Sequence, residues 1–238
     1  MPVEEQIKPF STFVPGNHLI LGAAGVGKTR FIWSLLQDKQ FCGEHTINIV
    51  LTDSAKRQWH EPTPEPVIPV DPFGTNMRWI AEPTVPGIYF ASCDYLPRVV
   101  TFLECLANFA RSTEGNLKNP VRVIVDFPVK FWRDPCFLEQ LERLHYISDT
   151  FSEDGVTMFD IWTVLTAGKD LTGKILAPIE KSHLIFLNPA SKTILTQVKD
   201  VLINYYPQFQ ILTGADHKAP ETGFYYLPDN EQNIYLQE

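Results

Sequence analysis

The sequence predicts an α/β domain built on a mostly parallel sheet, and three observations carry that expectation. Short apolar runs alternate with stretches of helical periodicity along all 238 residues. Two of the runs, Val121 to Val125 and Leu184 to Leu187, read as continuous rather than alternating, which suits strands buried on both faces. A glycine-rich turn joins the first apolar run directly to the first helical one.

In chain order, His18 to Leu21 is an apolar run ending at glycine, and Arg30 to Leu36 reads as a helix. Thr46 to Leu51 is β-rich. Glu61 to Gly74 carries Pro62, Pro64, Pro66, Pro69 and Pro72, which predicts a surface loop. Gly87 to Ser92 reads as a strand and Leu96 to Arg111 as a helix. Val121 to Val125 is the next strand and Pro135 to Phe151 the next helix. Phe159 to Thr166, Leu184 to Leu187 and Phe209 to Leu212 complete the strands. Gly223 to Leu236 reads as a hairpin around Pro228-Asp229-Asn230. The chain is expected to form one domain over 1–238, with an N-terminal arm at 1–16 and a C-terminal extension at 201–238.

Composition bounds the function. With 44% hydrophobic and 20% charged residues the chain is ordinary for a globular protein and not a disordered one. A net charge of −8 excludes a uniformly basic nucleic-acid coat but not a local basic patch. Cys42, Cys93, Cys105 and Cys136 form no CxxC pair, so reduced thiols are expected and a zinc site is not. Met1 to Phe13 carries Glu4, Glu5 and Lys8 and lacks the apolar core of a signal peptide. No apolar run approaches the roughly 20 residues of a membrane span.

Gly22-Ala23-Ala24-Gly25-Val26-Gly27-Lys28-Thr29 matches G-x-x-x-x-G-K-[ST], the Walker A phosphate loop. Its glycines let the backbone aim amides at phosphate oxygens, and the following helix adds its positive end. Lys28 is expected to reach the β- and γ-phosphates of ATP, and Thr29 to place its hydroxyl on Mg²⁺. Arg122 to Asp126 is an apolar strand ending in a carboxylate, the Walker B arrangement, in which Asp126 holds magnesium through water. Asp53, which ends another strand, competes for that role; otherwise it caps the segment that follows.

A GTPase N-K-x-D string and an ABC-type LSGGQ segment are both absent, and no arginine-rich kinase lid stands out. Walker A is followed by a strand, a strand with a long helix, Walker B, and a helix bearing Arg143 and His145. Then come the strand Trp162 to Thr166, the run Lys169 to Pro178, and His183 to Asn188. This order resembles the FtsK–HerA superfamily, especially the small genome-packaging ATPases of poxviruses and of membrane-containing double-jelly-roll viruses. The resemblance covers about residues 18 to 200, and Walker A is its one highly specific motif.

The resemblance implies a P-loop NTPase with a RecA/FtsK-like sheet flanked by helices. It implies an ATPase that moves double-stranded DNA into a preformed capsid as a homo-oligomeric ring, beside capsid or packaging-vertex proteins, in the host cytoplasm or on the virion. Arg143 takes the place of an arginine finger; the alternative is a surface pair with Glu139 at i−4. Thr166 stands where the family has a glutamine sensor. The family's acid after the Walker B aspartate is here Phe127, which leaves Asp53, Glu82, Glu139 and Glu142 as candidate bases.

Between 169 and 192, four lysines meet only two acids, so Lys169 and Lys174 are expected to grip DNA phosphates in a pore; a solvated mixed-charge loop is the alternative. Trp33 and Trp162 are expected in the core, and Trp59 and Trp79 at a subunit contact. A nucleotide-dependent switch or small-molecule kinase on the same fold is the alternative function.

Overall fold

The structure is a computed structural model. It describes residues 6–7, 13, 16–53, 68–69, 85–112, 119–150, 152–153, 156–157, 159–168, 171–187, 192–207, 209, 224–227 and 235–237. The strands are β1 (Gln6–Ile7), β2 (His18–Gly22), β3 (Ile47–Thr52), β4 (Ile68–Pro69), β5 (Gly87–Ser92), β6 (Val121–Asp126), β7 (Ser152–Glu153), β8 (Val156–Thr157), β9 (Phe159–Thr166), β10 (His183–Leu187), β11 (Phe224–Leu227) and β12 (Tyr235–Gln237). The helices are α1 (Lys28–Gln37), α2 (Lys39–Cys42), α3 (Leu96–Ser112), α4 (Val129–Trp132), α5 (Pro135–Thr150), α6 (Gly173–Leu176) and α7 (Lys192–Tyr205), with a 3-10 turn at Ala177–Ile179.

Among the described residues, ten strands form one sheet in the order β1-β12-β11-β10-β2-β9-β6-β3-β5-β4, and β7 pairs with β8 apart from it. From β10 to β4 every pairing is parallel. The closing strands pair antiparallel as expected, with Tyr226 of β11 opposite Tyr235 of β12, while the turn expected at Pro228-Asp229-Asn230 lies outside the described residues.

Alternation along each strand divides the core into two layers. Leu19 and Leu21 face α3, α5 and α7, while Ile20 faces α1. Val121, Val123 and Val125 of β6 join the first layer and Ile124 the second. Both layers exclude water, which is why these strands are apolar throughout rather than every second residue. Trp33 and Trp162 are buried as expected.

Arg122, in the middle of this apolar sheet, is paired with Asp160 across β6 and β9 at 3.0 Å and lies 4.0 Å from the Phe41 ring centroid. That contact and its bond to the Phe41 carbonyl hold α2 on the sheet. Asn17 ties the start of the central strands together: its Oδ1 accepts from Ile161 N and its carbonyl from His183 N.

Two expectations are corrected. The run expected as a strand at Phe209 to Leu212 begins instead in a helical turn, where Phe209 N donates to Tyr206 O at 2.9 Å and its ring meets Phe186 edge-on. A short apolar run does not distinguish strand from helix, and burial under α7 decides it here. Residues 210–212 lie outside the described residues, as do Trp59 and Trp79. Within the proline-rich stretch expected as a loop, Ile68–Pro69 is an edge strand on β5, where proline's missing donor is harmless, and the rest of 61–74 lies outside the described residues. Helix α7 is an element the sequence analysis did not anticipate.

Candidate nucleotide-binding site

The site forms where β2 ends and the chain turns into α1. Gly27 caps α1 at φ +96°, a left-handed conformation that disfavours any side chain, and its carbonyl accepts the first helical bond from Phe31 N at 2.8 Å. Gly22 is required for a different reason: a Cβ there would lie 2.8 Å from Val26 Cγ1 and 3.1 Å from Leu187 Cβ. The loop is thus pinned against β10 on one side and opens α1 on the other.

Lys28 Nζ donates to the carbonyls of Gly22 and Ala23 at 2.9 and 2.7 Å, which holds the ammonium against the loop. Thr29 Oγ1 donates to Asp126 Oδ2 at 2.8 Å. Asp126 ends β6 and is almost fully buried. Its main chain is anchored from β3, where Thr52 Oγ1 donates to Asp126 O at 3.1 Å, and the turn after it is held by Trp132 Nε1 on Phe127 O at 3.1 Å. Sequence reasoning missed Thr52 and Trp132, because both act through a register and a turn that no local motif encodes.

Strand β9 runs between β2 and β6. Its last residue, Thr166, is level with Gly22, and Ala167 N donates to Gly22 O at 2.8 Å. The structure therefore brings Lys28, Thr29, Asp126 and Thr166 to one end of three neighbouring strands. Asp53 leaves β3 on the far side of β6, and its Oδ1 is buried with no hydrogen-bond partner.

Other expected residues lie elsewhere. Arg143 is on α5, which covers the sheet face opposite α1, and its Nη2 donates to Asn108 Oδ1 of α3 at 2.6 Å. Its partner is thus across a helix pair, and not Glu139. His145, in the same helix, is buried with Nε2 3.4 Å from Thr163 Oγ1, and burial pushes its pKa down to about 3. Glu139 and Glu142 are exposed on α5. Lys174 is exposed on α6, while Lys169 and Glu82 lie outside the described residues.

A magnesium ion needs hard oxygen ligands. The Thr29 hydroxyl and the Asp126 carboxylate, held together at 2.8 Å, are such a pair and fit it. Among the described residues no cluster of three or more His, Cys, Asp or Glu offers a competing site.

No protein-family model matches the chain, and no curated protein matches it. Its fold is similar to that of the genome-packaging NTPase B204 from Sulfolobus turreted icosahedral virus 2 in complex with AMPPCP, with TM-score 0.57 and 11% identity over 94% of this chain and 97% of that one. The same protein in complex with AMP matches at TM-score 0.57 and 12% identity, over 95% and 98% of the two chains. The DNA-packaging ATPase B204 from Sulfolobus turreted icosahedral virus matches at TM-score 0.56 and 14% identity, over 95% and 98%. Identity this low speaks for the fold alone. The chain has the α/β fold of a P-loop NTPase, in the form found in a viral genome-packaging NTPase.

Proposed function

We propose that the chain is an ATPase that drives double-stranded DNA into a preformed viral capsid, working as a homo-oligomeric ring in the host cytoplasm or at the packaging vertex. The observation that supports this reading is the bond between Thr29 and Asp126 beside the Lys28 loop, in a fold shared end to end with a genome-packaging NTPase. Lys28 and the loop amides bind the phosphates, and Thr29 and Asp126 hold Mg²⁺. When bound, the ion neutralises charge on the β- and γ-phosphate oxygens. In this reading Thr166, which is level with Gly22, hydrogen-bonds the γ-phosphate or water. Among the described residues no helix is long and apolar enough to cross a membrane.

DNA contact rests in this reading on Lys169 and Lys174. Changing both to Ala should weaken DNA binding similarly for all sequences. It should also flatten the dependence of log affinity on log salt by roughly 0.7–0.9 for each lost phosphate contact. DNA-stimulated ATP hydrolysis in the parent chain tests the function itself. A chain that hydrolyses ATP at the same rate with and without DNA, and whose DNA affinity ignores both lysines, is not a translocase of this kind.

A further inference from the structure

Strands β3 and β6 run in parallel register with Thr52 opposite Asp126. The next residues, Asp53 and Phe127, therefore leave the sheet at the same level, one strand spacing of about 4.8 Å apart. On β6 that level is apolar: Phe127 is buried, stacks on Phe131 at 4.9 Å and meets Phe137 edge-on. On β3 the same level carries a carboxylate.

Asp53 Oδ1 is buried and accepts no hydrogen bond. An acceptor withdrawn from water without a partner costs roughly 1–3 kcal/mol, more when charged. A group left in that condition by a folded protein calls for an explanation, and a catalytic role is one. The segment that Asp53 would otherwise cap, from residue 54 on, lies outside the described residues. The Thr52 hydroxyl meanwhile ties the end of β3, next to Asp53, to the main chain of Asp126. The acids of α5 do not compete: Glu139 and Glu142 are solvent-exposed on the helix layer opposite α1.

We propose that Asp53 orients and deprotonates the water that attacks the γ-phosphate. This rests on the ATPase reading above and assigns its missing base. The water donates one hydrogen bond to the Asp53 carboxylate. Its oxygen bonds to the γ-phosphorus as the bond from phosphorus to the β–γ bridging oxygen breaks, and that electron pair leaves on ADP. One water proton passes to Asp53 and on to solvent, and the other stays on the inorganic phosphate. The buried acceptor found unsatisfied in the protein is thereby satisfied in the reacting complex, where it contributes to the rate rather than to the fold.

The test uses the full chain with Mg²⁺, a fluorescent ATP analogue for binding, phosphate release for turnover, and a thermal melt. Asp53→Asn should bind the analogue within about threefold of the parent while turnover falls 100-fold or more, the range set by general-base catalysis. Asp53→Ala should melt at or above the parent temperature, since it removes an unpaired buried oxygen rather than a contact. Turnover that survives Asp53→Asn overturns the proposal alone. So does a lowered melting temperature in Asp53→Ala, which makes the carboxylate structural, or loss of turnover in Glu139→Gln or Glu142→Gln. A parent chain that binds the analogue and never releases phosphate overturns the ATPase reading and this one with it.

Discussion

Thr29 Oγ1 donates to Asp126 Oδ2 at 2.8 Å although 97 positions separate the two residues. Thr29 opens α1 just after β2, Asp126 ends β6, and β9 lies between those two strands. The bond therefore joins the start of α1 to the end of a strand one place beyond β9, whose last residue is Thr166. One hydrogen bond thus fixes the distance across which a nucleotide's phosphates and its metal must fit.

Asp126→Asn keeps the size of this side chain and removes its charge. Turnover should fall by roughly 10²–10³, the loss typical of removing one charge-stabilising group, while the melting temperature shifts little. Lys28→Ala should abolish turnover in a folded chain. Phosphate-release assays beside circular dichroism melts check both, and unchanged turnover in Lys28→Ala would refute the phosphate-loop assignment.

Thr52 touches the main chain of Asp126 and not its carboxylate. Thr52→Val preserves shape and deletes the donor. It should cost about 1 kcal/mol of stability. Removing such an outer support should also lower Mg²⁺ affinity or turnover by roughly 10- to 100-fold. Titrating turnover against Mg²⁺ separates the two, and Thr52→Ser should recover most of the loss.

Arg143 is held by Asn108 within its own subunit. If it serves a neighbour's nucleotide, it must leave that partner. Arg143→Ala should then keep nucleotide binding and lose on the order of 10³-fold in turnover, while Asn108→Ala stays active. Mixing Arg143→Ala with Lys28→Ala subunits should restore part of the rate. Full activity in a strictly monomeric chain would end this idea.

Acid should destabilise the fold through its buried histidines. Burial lowers the pKa of His145 to about 3. For His18, burial first and the nearby His183 second push it well down, opposed by the Gly16 carbonyl. Both stay neutral in the fold while the unfolded chain protonates them near 6.5. Stability is therefore complete above about pH 6.5 and falls below it, by about 1.4 kcal/mol per pH unit for each group that stays neutral, for His145 down to about pH 3. Urea melts at pH 7.5 and pH 5 measure the slope, and His145→Leu should remove one proton's share of it.

The sequence revealed the parts of this fold whose signal is local. The phosphate loop shows its glycines and lysine in eight consecutive residues, and β6 shows its apolar run and terminal acid. What stayed hidden depends on register and packing. Nothing in the string says that Thr52 lies opposite Asp126, that Phe127 and Asp53 leave the sheet level with each other, or that Arg143 finds Asn108. Phe209 was misread because a short apolar run looks the same in a strand and under a helix.

The position of β2 has a consequence for synthesis. Its sheet neighbours are β9 and β10, made of residues 159–166 and 183–187. The phosphate loop leaves the ribosome before either neighbour, and it has no strand to rest on until more than a hundred further residues have followed. Such late, distant pairing slows folding. A nascent chain halted at residue 158 carries the whole Walker A motif and should still fail to retain nucleotide.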